Sequence, residues 1–419
     1  MKKLAFFFLL ILPFRYLFAQ DLDYARKTVS DLTSSAFHGR GYVRHGDKKA
    51  ARYIHKEYKK HNLKSFQKNY YQQFNISINT FPKKLILCTN GTKLAPGIDY
   101  IIACNSPPIK GIFPVYRLPN ILNDYPRPQS LKQGIDLSGS FIIVDDSLGF
   151  LKRQNPFPSA GIIVLKNDKL WWHVSGCSQI EDYVSIDVLK EKMPVDASQI
   201  KLKIKNKFYK KYQTQNVIGY VKGIIQPDTF VVFTAHYDHL GRMGAETFFP
   251  GAHDNASGTA MLMDLARYYT QPENQPYYSI VFMAFSAEES GLKGSKYYTD
   301  HPLFPLENIR FLVNLDMVSS GSDGIMVVNG KVLEKEFSIL KKVNEDHHLL
   351  KNIKKRPEAK NSDHYYFYEK GVPSFFIYTL GDEYTEYHTI DDKAEGLPFT
   401  EYDDLFTLLT KFVEAFPKY

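Results

Sequence analysis

Only three cysteines, Cys88, Cys104 and Cys177, occur in 419 residues. Three thiols cannot all pair within one chain, so a disulfide scaffold is excluded, although one bridge is possible outside the cytoplasm. The same scarcity rules out a structural zinc site built on thiolates. Two common hydrolase signatures are missing as well. No G-x-S-x-G elbow presents a nucleophilic serine, and no H-E-x-x-H pair sets two histidines on one helix face. Past the N-terminus, no apolar run is long enough to span a bilayer, and no low-complexity tract interrupts the chain.

What remains is a globular composition, 44% hydrophobic and 23% charged. The length calls for one large domain with an insertion, or for two domains. Abundant aromatics, 29 Tyr and 30 Phe, fit a large core. The formal charge of +8 raises the question of nucleic acid. Yet Lys190, Lys192, Lys201, Lys203, Lys205, Lys207, Lys210 and Lys211 crowd into one short segment. In "KLKIKNK" the lysines alternate with Leu202 and Ile204, the pattern of an edge strand with one solvated face. No nucleic-acid partner is expected.

At the N-terminus, Lys2 and Lys3 precede an apolar run over 4–13, and "LFA" at 17–19 offers a small residue for cleavage. That layout predicts a signal peptide over 1–19, too short and too interrupted by Arg15 to insert stably in a membrane. No cysteine near the cleavage region suggests a lipid anchor. Export to the periplasm or the exterior is expected.

Three regions follow. Residues 20–80 are expected to be the N-terminal helical part, with "DYARKTVSDL" and "KKAARYIHKEYKKHNL" at helical spacing. Residues 81–212 carry short β-like runs such as "KLILCT", "SFIIVDD" and "AGIIVLK", divided by Pro and Gly loops. Over 213–419, apolar strands alternate with helices. This predicts a mixed, mostly parallel α/β sheet sandwiched by helices, with a small β-rich inserted domain. Ligands in such sheets bind at the carboxyl ends of the strands.

Those ends carry the chemistry. "FVVFTA" runs into His236 and Asp238, and "GAHDNASG" places Asp254 at a helix entry. "SIVFMAFS" ends at Glu288 and Glu289, "FLVNL" at Asp316, and "FFIYTL" leads by a short loop to Tyr387 and His388. Adjacent carboxylates closing a buried strand are costly unless the strand has ended or a positive charge sits there. Histidines and carboxylates without cysteine suit zinc. Two metals a few ångströms apart need a bridging carboxylate, so five candidate ligands and one spare glutamate match a two-metal hydrolase.

In order, "HYD", "GAHDNASG", "AEESGLKGS", "NLDM", "SDH" and "EYHT" resemble the zinc aminopeptidases of family M28. The resemblance covers most of 21–80 and 215–419, and 85–210 looks like the protease-associated insert of some members. It implies the zinc-exopeptidase fold and two zinc ions bridged by Asp254. His236 and Asp316 would complete one site, and Glu289 and His388 the other. Glu288 would be the base, Tyr387 the hydroxyl donor to the oxyanion, and Asp238 the acid orienting His236. The implied substrates are peptides with a free N-terminus. His253 departs from the acid, Asn or small residue usual before the bridging aspartate, and bears on the choice of metal.

Other residues carry plainer expectations. His239, His253, His347 and His348 are not expected to be ligands. Ser362, Asp363 and His364 are expected to cap a helix and wall the pocket rather than form a triad. Alternatives on the same fold are a glutamate-releasing carboxypeptidase, a glutaminyl cyclase and a non-catalytic receptor-like binding protein.

Overall fold

Eight strands build the sheet that carries the site: β1 Tyr71–Thr80, β2 Lys207–Val221, β3 Gln226–His236, β4 Tyr278–Phe285, β5 Ile309–Leu315, β6 Gly324–Val328, β7 Ile353–Arg356 and β8 Ser374–Leu380. Their order across the sheet is β1-β2-β4-β3-β5-β8-β6-β7. The central four, β4, β3, β5 and β8, run parallel, so their carboxyl ends share one edge. Antiparallel β2 and β6 flank them. The computed structural model describes residues 20–118 and 136–417, and the signal-peptide expectation for 1–19 lies outside them.

Continuous apolar runs make strands buried on both faces, and neighbouring residues serve opposite layers. Val231, Phe233, Ala235, Ile280, Phe282 and Ala284 pack in one cluster with helices α1 Leu22–Thr33, α2 Gly46–Lys60 and α3 Gly258–Tyr269. Val232, Val281, Met283 and Phe285 belong to the opposite cluster. Tyr298 of α4 Lys293–Asp300 and Phe367 of α6 His364–Glu369 cover that side. Helices α5 Glu334–His347 and α7 Tyr402–Glu414 complete the first layer. This is the sandwiched α/β sheet expected from the sequence.

The helical expectation for 20–80 fails at its end, because 71–80 is strand β1, paired antiparallel with β2. "YQQFNISINT" alternates, with Phe74, Ile76 and Ile78 buried, and a period of two outweighs proximity to the helices. A second eight-stranded sheet lies in the inserted region. It runs Thr92–Lys93, Ile86–Thr89, Gln199–Ile204, Ile109–Arg117, Phe141–Asp145, Gly161–Lys166, Val184–Leu189 and Tyr100–Ile102. The lysine-rich strand alternates as expected, with Ile200, Leu202 and Ile204 buried. It is not an edge strand, however, since Ile86–Thr89 and Ile109–Arg117 pair on either side. Its lysines project from a paired strand, so they have no edge to guard. Leu87, Ile143, Ile163 and Leu202 pack in one cluster with Tyr42, Leu240, Phe249 and Ala287, so the second sheet shares its core with the metal-site half. All three cysteines are free thiols. Among the described residues, no helix is long and apolar enough to cross a membrane.

Candidate metal centre

Strand β3 delivers His236 at its last residue, and its parallel neighbours β4 and β5 stop just before the acids. β4 ends at Phe285, after which Ala287 adopts φ 63° and turns Glu288 and Glu289 off the strand path. β5 ends at Leu315, and Met317 at φ 58° turns the chain directly after Asp316. His388, at φ 54°, comes in from the loop after β8. Asp254 sits where the chain enters α3. There Asn255 Oδ1 accepts the Gly258 N–H at 2.9 Å and Asn255 Nδ2 donates to Leu315 O at 2.9 Å. A Cβ on Gly258 would lie 2.5 Å from that carbonyl oxygen, so only glycine lets the helix start so close to β5.

The expected ligands converge. His236 Nε2 lies 3.3 Å from Asp316 Oδ1 and 3.4 Å from Asp254 Oδ1. On the other side, His388 Nε2 lies 3.0 Å from Asp254 Oδ2 and 3.3 Å from Glu289 Oε2. Asp254 thus addresses one imidazole with each oxygen. His236, Glu288 and Asp316 offer donor atoms within 4.8 Å of one another, as do His239, Asp254 and Glu289. A cavity of about 340 Å³ opens on these residues, walled by Met317, Phe376, Tyr378 and Tyr387.

Electrostatics favours a cation at this point. Asp254, Glu289, Asp316, Asp238 and Asp363 are all buried. Burial alone would raise Asp254, but His236 and His388 hold it well below the usual carboxylate range. Burial pushes Glu288 well above that range, against the pull of His236 and with help from Asp363 and Asp316. Glu289 Oε1 lies 2.7 Å from His239 Nδ1 without hydrogen-bond alignment, and the same nitrogen is 4.0 Å from Asp254 Oδ2. The buried acids outnumber the one charge that Arg40 places beneath them, and this convergence of carboxylate and imidazole donors fits zinc or a similar cation.

Supporting contacts fix the donors. His236 Nδ1 meets the carbonyl of Asp238 at 3.1 Å, which leaves Nε2 facing the acids. So the backbone of Asp238, rather than its carboxylate, makes the nearer contact with the imidazole. The Asp238 carboxylate instead accepts the Glu288 N–H at 3.1 Å. Ser362 Oγ donates to Asp316 Oδ2 at 2.9 Å and accepts from Asn314 Nδ2 at 2.8 Å. The serine of "SDH" therefore steadies an acid instead of attacking substrate. His253 Nδ1 pairs with Ser319 Oγ at 2.6 Å. Tyr387 lays its ring over that of His388, centroids 3.9 Å apart.

Several residues matter here beyond the ligands expected from the sequence. His239, set aside as a ligand, touches Glu289, and the repeat of histidine at 236 and 239 was its signal. Asp392 accepts the N–H groups of His253 at 2.7 Å and Asp254 at 3.0 Å. Arg40, fully buried, donates to the carbonyls of Tyr237 (2.8 Å), Pro250 (2.6 Å) and Gly251 (2.7 Å) beneath the acids. Its flanking glycines were the only hint. A Cβ on Gly41 would fall 2.4 Å from Gly241 Cα.

Fold and site together define an α/β protein with a carboxylate–imidazole centre at the carboxyl edge of a parallel sheet. Residues 216–413, just under half of the chain, match the model of Peptidase family M28. The chain is 33% identical over 229 residues to aminopeptidase YwaD of Bacillus subtilis, covering 51% of this chain and 47% of that protein. A probable zinc metalloprotease of Pyricularia oryzae is 37% identical over 113 residues, 26% of this chain and 22% of its own. The chain thus spans about half or less of the length of these relatives. The structure of BSAP, a zinc aminopeptidase from Bacillus subtilis, superposes with TM-score 0.73 over 96% of both chains at 24% identity. An M28 peptidase precursor from Shewanella amazonensis gives 0.68 at 16% identity, over 95% of this chain and 94% of its own. Both share the fold.

Proposed function

We propose that this chain is an exported, zinc-dependent aminopeptidase that removes N-terminal residues from peptides at a two-zinc centre. The observation that carries the reading is the placement of Asp254 between two imidazoles, with Asp316 and Glu289 on opposite sides and Glu288 facing the same cavity. His236 and Asp316 would hold one ion, Glu289 and His388 the other, and Asp254 both. The names of the Bacillus and Pyricularia relatives support aminopeptidase and zinc. Residues 20–80 and 213–419 would form the catalytic part, and 81–212 a protease-associated-like insert.

When bound, zinc lowers the pKa of a coordinated water toward about 7 and polarises the scissile carbonyl. Glu288 does the proton work. Its backbone is tied to Asp238, and its half-buried carboxylate takes the proton of the attacking water and returns it to the leaving amine. Tyr387, 40% exposed at the cavity wall, offers its hydroxyl to the carbonyl oxygen as that atom gains charge. Asp238 and Ser362 keep His236 and Asp316 in register.

The test combines metal analysis with a panel of free and N-blocked aminoacyl reporters. Two zinc ions per chain and turnover of free substrates only are expected. Equal hydrolysis of blocked substrates would end the aminopeptidase reading.

A further inference from the structure

The two imidazoles facing Asp254 are held differently. His236 turns its outer nitrogen to a carbonyl two residues along its own chain. His388 turns its outer nitrogen to another histidine, with Nδ1 3.1 Å from Nδ1 of His173 and ring centroids 4.8 Å apart. His173 lies 215 residues away, in the inserted region between strands Gly161–Lys166 and Val184–Leu189. The neighbouring contacts make this a built junction. Trp172 N–H donates to the His388 carbonyl at 3.1 Å. The Trp172 indole donates to Ile102 O at 2.9 Å and its ring packs on Phe249 at 4.9 Å. Lys169 Nζ reaches Thr385 O at 3.2 Å and Glu386 Oε1 at 2.9 Å.

We propose that His173 is a positioning residue for His388, so that the insert supplies part of the support of the metal centre. This rests on the reading of His388 as a ligand. With Nε2 turned to Asp254 and Glu289, an imidazole that binds metal carries its proton on Nδ1 and donates it outward. The acceptor in reach is Nδ1 of His173. That hydrogen bond fixes both the tautomer and the ring plane of His388. The Trp172 contact fixes its backbone, at a residue whose positive φ would otherwise be free to relax. Because the outer edge of His173 is open to solvent, water can partly replace it. Its effect therefore belongs at the low end of the usual range for such outer partners.

The experiment uses the whole chain, stripped of metal and titrated with zinc against a chromophoric chelator. His173→Ala is expected to weaken one of the two zinc sites about 10-fold and leave the other unchanged. His173→Phe, which keeps a ring without an acceptor, should do the same. His173→Asn, whose Oδ1 stands where Nδ1 was, should restore affinity. The proposal is overturned if both sites keep full affinity in His173→Ala and His173→Phe, or if His173→Asn falls as far as they do. His388→Ala separates the underlying reading. Should it leave both sites intact, His388 is not a ligand, whatever His173 does.

Discussion

The inserted sheet and the metal-site sheet, each of eight strands, differ in what they bury. Among the described residues of 81–206, the buried polar side chains are the hydroxyls of Thr89, Ser106, Ser140, Ser159 and Ser185, with no acid or base among them. The metal-site half buries Asp238, Asp254, Asp264, Glu289, Asp316, Asp363 and Asp392. Backbone strain divides the same way. The non-glycine residues with positive φ in the insert are Asn90 and Asn155, a type that tolerates it. In the other half they include Ala287, Leu292, Met317, His388 and Phe399, each costing about 1–3 kcal/mol. Charge and strain collect where strands turn toward the site, and the insert is left as an ordinary apolar core that reaches the centre through the 169–173 loop and through the shared cluster at Ala287. One half is arranged for chemistry at the expense of stability, and the other is not.

The sharpest way to test this division is to change Glu288, the proposed base. Glu288→Gln should lower kcat by about 10²–10⁴-fold while zinc content and melting temperature stay as they were. A loss of metal would instead place Glu288 among the ligands, as its closeness to His236 and Asp316 permits. Next comes the buried cation. Arg40→Met strands the carbonyls of Tyr237, Pro250 and Gly251 and removes the positive charge beneath Asp254 and Asp392. A destabilisation of about 3–5 kcal/mol by chemical denaturation is expected. A change near zero would show that the acids do not depend on it.

The insert should answer differently. Leu202→Ala removes a residue 1% exposed from the shared core and should cost about 2–5 kcal/mol. Turnover below the melting transition should not change. A parallel fall in kcat at low temperature would mean that the shared core transmits packing changes to the site.

How far the sequence reached follows the same boundary. The central strands were legible because residues buried on both faces read as unbroken apolar runs. His236, Glu288, Glu289 and Asp316 were legible because they close or directly follow such runs. Strand β1 follows two strong helices, and its short alternation carries less signal than their longer period. The lysine-rich strand had the right faces and the wrong neighbours, since a solvated face looks the same at an edge or within a sheet. Arg40, His173 and Asp392 were out of reach. Their role is to touch backbone or another side chain 138 or more residues away, and no local period records that.

The smallest expected effect lies at the seam where the chain leaves the insert. Asp47, in the first turn of α2, accepts Tyr212 Oη at 2.7 Å and Thr214 Oγ1 at 2.9 Å from β2. It is fully buried, and burial pushes its carboxyl up to about 6 although both hydroxyls pull it down. The folded chain therefore holds this proton at pH values where the unfolded chain has released it. Stability falls as pH rises from about 4 to about 6 and is level above, the loss being on the order of 2–3 kcal/mol. Asp264 and Asp392, also raised to about 6 by burial, slope the same way. Asp47→Asn should flatten the slope by part of one proton without abolishing it. Taking the difference between the two chains at each pH cancels contributions from the metal centre. If the variant's urea midpoints track those of the parent across this window, Asp47 is ionised throughout and the seam carries no titrating burden. If the slopes differ as expected, the cost of buried charge extends to the strand that joins the two halves.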